Sequence, residues 1–132
     1  MGWWWVGRSL PQLDGQLALA GLGAPVTITR DDLGVPAIEL HTGEYAHHWR
    51  EGPAALDQLR RAASHAAELG LAVHAGHGLT YLNVGEVAAG PEIEELNIGH
   101  SIVSRAVFEG LEGAVRRMRR LMSDARAGSG RP

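Results

Sequence analysis

The sequence predicts a parallel α/β fold, on three observations. Two short apolar runs, Leu71–Val73 and Leu96–Ile98, each stop at a glycine–histidine pair, Gly76-His77-Gly78 and Gly99-His100. A third extended stretch, Val35 to Gly43, alternates in character: Ile38 and Leu40 share one face, Glu39 and His41 the other. Between these runs lie stretches with helical spacing of apolar residues. Short apolar runs ending in Gly-rich turns read as buried parallel strands, with their carboxyl ends opening into a site.

The elements follow in order. Residues 1–33 carry neither caps nor a sustained period and form a poorly specified N-terminal extension. Within it Leu17–Leu22 suits a short helix or strand, and Val26–Thr29 a short strand. Trp3, Trp4 and Trp5 face all ways on any regular element, so they belong to an unspecified extension or, on a sharper reading, to an apolar plug or interface. From Gly34 the signal improves. Val35–Gly43 is a strand of about five residues, and Glu44–Gly52 a polar loop holding His47, His48 and Trp49. Pro53 opens a helix that ends at Leu69, with Gly70 at C′. Leu56, Leu59, Ala63, Ala66 and Leu69 form its apolar stripe, and His65 is solvated. Leu71–Ala75 is the second strand. A short helix near Val84–Ala89 stops at Gly90-Pro91, and Ile93–Ile98 is the third strand. Ser101 opens a helix to about Phe108, and a second runs from about Glu112 to Met122. Leu111, Val115, Met118 and Met122 share one face of the latter, and Arg116, Arg117, Arg119 and Arg120 make a solvated surface around the rest. Residues 128–132 are a disordered tail.

Bulk properties exclude several functions. A chain of 132 residues suffices for one domain but falls short of the roughly 250 of a complete (β/α)₈ barrel. The net charge of −3 and pI near 6.1 give no electrostatic case for nucleic acid. There is no cysteine, which removes disulfides and thiolate metal sites. All 12 cationic side chains are arginine, so a Schiff-base lysine and a P-loop lysine are impossible. Any imine must use an amine brought by the substrate. No apolar run approaches the ~18 residues of a membrane span. A cytoplasmic protein without membrane contact is expected.

The chemistry is expected at the strand ends. Gly99-His100-Ser101 stands where a strand gives way to a helix, so free N–H groups and the helix dipole favour an anion. His77, between two glycines, has an accessible ring and is a candidate general acid or base. Glu39, a carboxylate inside a strand, is costly unless paired or used, and on a parallel strand it can face the site. His41, His74, His77 and His100 with Glu39 invite a metal reading. Residues three apart on a strand, such as His74 and His77, point to opposite faces, so no metal site is expected.

ELHTGEYA, GLAVHAGHGLTYLNV and PEIEELNIGHSIVSRAVFEGLEGAVRRMRRLM together resemble the C-terminal part of the pyridoxine 5′-phosphate synthase family of vitamin B6 biosynthesis. The resemblance runs from about Gly34 to Ala127. It implies a TIM (β/α)₈ barrel, here a partial one of about three parallel strands, the sixth to the eighth, within residues 34–127. It implies condensation of 1-deoxy-D-xylulose 5-phosphate with 3-amino-2-oxopropyl phosphate to pyridoxine 5′-phosphate, with no metal or organic cofactor. By the same resemblance His77 is the catalytic proton donor and Glu39 the transition-state stabiliser. Gly78, Gly99 and His100 bind the phosphorylated substrate. The motifs expected of the family's N-terminal half, an NxDHxAxxR-type strand and a further catalytic glutamate among them, are absent. The chain then reads as a fragment with an incomplete site and little turnover of its own. The alternative is a non-catalytic phosphate-binding or assembly module derived from that barrel.

Three parallel strands alone leave open edges at the Ile38 strand and the Leu96–Ile98 strand. Two copies pairing their open halves would cover them, so a homodimer or larger homo-oligomer is expected; the other cover available is residues 1–33 folding back.

Overall fold

A computed structural model describes residues 15–17, 26–30 and 36–129. Its strands are β1 (Gly15–Leu17), β2 (Val26–Arg30), β3 (Pro36–His41), β4 (Ala72–Gly76) and β5 (Ile93–Asn97), in one sheet of order β1-β2-β3-β4-β5. Strands β3, β4 and β5 are parallel, whereas β1 pairs β2 and β2 pairs β3 antiparallel. The edge expected to be open at the Ile38 strand is therefore covered by β2. The tryptophans Trp3 to Trp5 lie outside the described residues.

The parallel strands are covered by helices α1 (Gly43–His48), α2 (Ala54–Glu68), α3 (Val84–Ala88), α4 (His100–Glu109) and α5 (Leu111–Gly128). Ile38 and Leu40 of β3 and Val73 and Ala75 of β4 meet Leu56, Leu59, Ala63 and Ala66 of α2 in one core cluster, joined by Leu79, Val87 and Ile93. The stripe at i, i+3, i+4 spacing on α2 is thus its buried face, apart from Leu69. That residue is 58% exposed, because it caps the helix where the chain turns away. Gly70 takes φ +76°. Its N–H donates to the Ala67 carbonyl (2.9 Å) and that of Leu71 to the Ala66 carbonyl (3.1 Å), a Schellman close.

Two elements differ from the sequence reading. The segment read as a loop after Thr42 begins with α1. A helix of six residues has too few internal bonds to persist alone. Tertiary contact holds it: Tyr45 is buried, and its hydroxyl donates to the Asn83 carbonyl (2.7 Å) and lies 3.1 Å from Glu86 Oε2. Burial, with Glu86 beside it, holds the phenol protonated well above its ordinary range. The last helix runs past Met122 to Gly128, where Arg126 donates from its guanidinium to the Ile93 carbonyl at the start of β5. Residues 130–132 lie outside the described residues.

The packing face of α5 is also rotated from the expected one. Ala114 and Met118 are buried, while Leu111 and Val115 remain 61% and 38% exposed. Gly85 of α3 faces Ala125 of α5, where an added Cβ would lie 3.8 Å from the Ala125 Cβ, an ordinary contact. Val103, Val107 and Phe108 of α4 are likewise exposed. Among the described residues no helix is long and apolar enough to cross a membrane.

Candidate active site

The parallel register builds the site. Glu39 lies opposite His74, which lies opposite Glu95; His41 lies opposite Gly76, which lies opposite Asn97. Partners in such rows share a face. The face turned away from α2 thus carries a charged row and, one layer nearer the strand ends, a row with a glycine at its centre. That glycine is needed for space: a Cβ on Gly76 would run into the Glu39 carboxylate. Glu39 leans across the gap, and Asn97 Nδ2 donates to its Oε2 at 3.1 Å.

His77 follows Gly76 with φ 79°, and Gly78 follows with φ 77°. Two consecutive left-handed residues swing the chain sharply out of β4 and set the imidazole beside the carboxylate, with His77 Nδ1 3.7 Å from Glu39 Oε1. Gly78 is required twice over, by its φ and because a Cβ there would come within 2.7 Å of the Ala46 Cβ in α1. The His41 ring stacks on His77, centroids 4.5 Å apart and planes at 20°. His41 is itself oriented by the Gly43 N–H, which donates to its Nδ1 at 3.2 Å.

Beyond Asn97 the chain enters α4 at Gly99 and His100. Ser101 is buried and its hydroxyl donates to the Leu79 carbonyl (2.9 Å), which ties the first turn of α4 to the loop after β4. Together Glu39, His77, Gly78, Leu79, Asn97, Ile98, Gly99 and His100 line an open groove of about 380 Å³ at the carboxyl ends of β3, β4 and β5. All five residues singled out from the sequence, Glu39, His77, Gly78, Gly99 and His100, face this one groove.

The structure separates other candidates. His74 lies one layer deeper than the groove, in the Glu39 row. His47, His48 and His65 are exposed on α1 and α2, and His48 bonds to Glu51 (2.8 Å). No cluster of three or more His, Asp or Glu side chains among the described residues is placed to hold a metal ion. Two participants had no signal as site residues in the sequence, Asn97, which holds Glu39, and Thr42, buried beneath the turn; His41, which the sequence offered only for a metal reading, stacks on His77. Each acts across strands, and only the register shows that Gly76 and Asn97 are neighbours.

What this arrangement can do follows from its parts. An imidazole and a carboxylate within reach of one another can move a proton and balance a developing positive charge. A helix start lined by Gly99 and His100 can take a phosphate. Comparisons with known proteins identify a family. The family model described as "Pyridoxal phosphate biosynthesis protein PdxJ" matches residues 26–124. The chain is similar to a pyridoxine 5′-phosphate synthase of Sulfurihydrogenibium sp. (strain YO3AOP1), 52% identical over 96 residues, which is 72% of this chain and 40% of that protein. It therefore spans well under half the length of the curated relative it matches.

Proposed function

This chain belongs to the PdxJ family, and on that premise we propose that it supplies the sixth to eighth strands of a pyridoxine 5′-phosphate synthase barrel. The reaction proposed is the condensation of 1-deoxy-D-xylulose 5-phosphate with 3-amino-2-oxopropyl phosphate. His77 donates a proton, and Glu39, held by Asn97, stabilises the positive charge that develops as the amine condenses. Gly78, Gly99 and His100 hold the phosphate of the amino ketone. The observation that carries this reading is the single groove in which all five residues meet. The lysine-free composition supports it further, since the amine then comes from the substrate.

Calorimetric titration of the purified chain with 3-amino-2-oxopropyl phosphate tests the proposal. Saturable binding is expected, weakened about tenfold or more in His100→Ala, as for loss of a charged hydrogen bond. Absence of heat at millimolar ligand, with the protein folded, overturns it. Turnover by the chain alone is expected to be negligible, because the family's remaining catalytic residues are not in this sequence. Binding without any contribution to turnover when the missing half is supplied favours the second reading, a phosphate-binding or assembly module. We further propose that the chain self-associates, since Val107 and Phe108 of α4 stand 80% and 86% exposed and exposed apolar surface of this kind marks interaction sites. Sedimentation equilibrium giving only a 14.1 kDa species would exclude self-association.

A further inference from the structure

We propose that Thr42 is the positioning residue of this site: its buried hydroxyl holds His77 in a left-handed backbone conformation and thereby aims the imidazole at Glu39. The inference rests on the reading of His77 as the proton-transferring group. Among the described residues His77 alone combines a side chain with positive φ, at 79°. That region is disfavoured for an L residue by roughly tenfold or more in population, so something must hold the turn there. Thr42 is 0% exposed and meets the turn at three points. Its N–H donates to the Gly76 carbonyl (2.7 Å), and its single hydroxyl proton is shared between the Gly76 and His77 carbonyls (2.6 and 2.5 Å).

A second observation is independent of the turn. Thr42 occupies the N-cap position of α1, where a threonine hydroxyl ordinarily accepts from the N–H groups of its own helix. Here it makes no capping bond. The shortest helices need that bond most, yet this one forgoes it, and the hydroxyl turns instead to the neighbouring strand. The Thr42 carbonyl accepts from the Ala46 N–H of the helix (2.8 Å), whereas its hydroxyl serves the turn after β4. The imidazole is then gripped on two sides, by the backbone beneath and by the His41 ring on its face.

The test uses the full chain and three variants followed by NMR. In Thr42→Val, which keeps the shape and loses the hydroxyl, the left-handed conformer of His77 should fall roughly tenfold in population, and the His41–His77 ring contacts should disappear. Thr42→Ser should keep both. In Thr42→Val/His77→Gly the Gly78 amide should return towards its wild-type position, because glycine takes this φ freely. A folded Thr42→Val with His77 still left-handed and still stacked on His41 overturns the proposal. Should Thr42→Val not fold, a folded Thr42→Ser in which His77 leaves the left-handed region overturns it equally, and one that retains it supports it. Inorganic phosphate binding by the wild-type protein, measured in parallel, separates the two readings: variants that show the expected effects, with wild type binding no phosphate, leave Thr42 as the device that sets His77 and count against the proposed function alone.

Discussion

The two edges of β3 are built under opposite constraints. Towards β4 the chain leaves His41, passes through α1 and α2, and returns at Ala72 in parallel. Towards β2 it has only residues 31–35 between Arg30 and Pro36, and the pairing is antiparallel. A parallel crossover needs about a dozen residues or more, so the short link permits only a hairpin. The difference decides where chemistry can sit. At the parallel edge the carboxyl ends of β3, β4 and β5 stand together, which puts Glu39, Gly76-His77-Gly78 and Asn97 around one groove. At the antiparallel edge the end of β3 meets the start of β2, with Thr27 opposite Glu39.

Substitutions should separate the two edges by size of effect. Ile38, 2% exposed, lies in the core beneath α2, so Ile38→Ala should cost about 3 kcal/mol in urea unfolding through lost burial and the cavity left. A loss under about 1 kcal/mol would mean that the parallel half is less tightly packed than described. The hairpin side should be far more forgiving. Doubling the 31–35 link with five Gly or Ser residues should cost only about 0.6 kcal/mol, the entropy of a longer loop. The pairing of Ile28 with Ile38 should survive it, as read from cross-strand amide contacts. A large loss would show that the short link does more than join two strands.

The smallest effect belongs to the crossover surface. The hydrogen bond from Glu51, and then its charge, raise the His48 pKa above the ordinary value of 6.5. A raised histidine pKa stabilises the fold below the unfolded-state pKa, and the contribution is lost as pH rises through the folded-state value. Wild type should therefore melt slightly above His48→Gln at about pH 6, and the gap should close by about pH 9. A gap that widens with pH would contradict the Glu51 contact.

Much of the parallel half was legible before any coordinates. Pro53 and Gly70 bracket α2 because their backbone preferences are local, and the apolar spacing between them names the buried face down to Leu56, Leu59, Ala63 and Ala66. The glycine–histidine pairs at the ends of β4 and β5 mark the site for the same reason: glycine's freedom and histidine's chemistry travel with the residue. Helix α1 was not legible, since its existence depends on Tyr45 reaching Asn83, which is distant in sequence. On α5 the apolar period places Met118 on the buried face, as found, but not Ala114, which is buried in place of Leu111 and Val115 because a small apolar side chain adds little to the pattern.

The sequence by itself determined three β-strands, their helical crossovers, and the identities of the groups that end them, because these follow from short-range periodicity and residue chemistry. The antiparallel pairing of β2, which covers the edge expected to be open, was seen only in the structure. Only the tertiary structure decided the register that sets Asn97 against Gly76 and Glu39, the stacking of His41 on His77, and the turning of the Thr42 hydroxyl from its own helix to the neighbouring turn. Those contacts join residues far apart along the chain, and their partners are chosen by strand alignment and by the space a missing side chain leaves, neither of which any local pattern encodes.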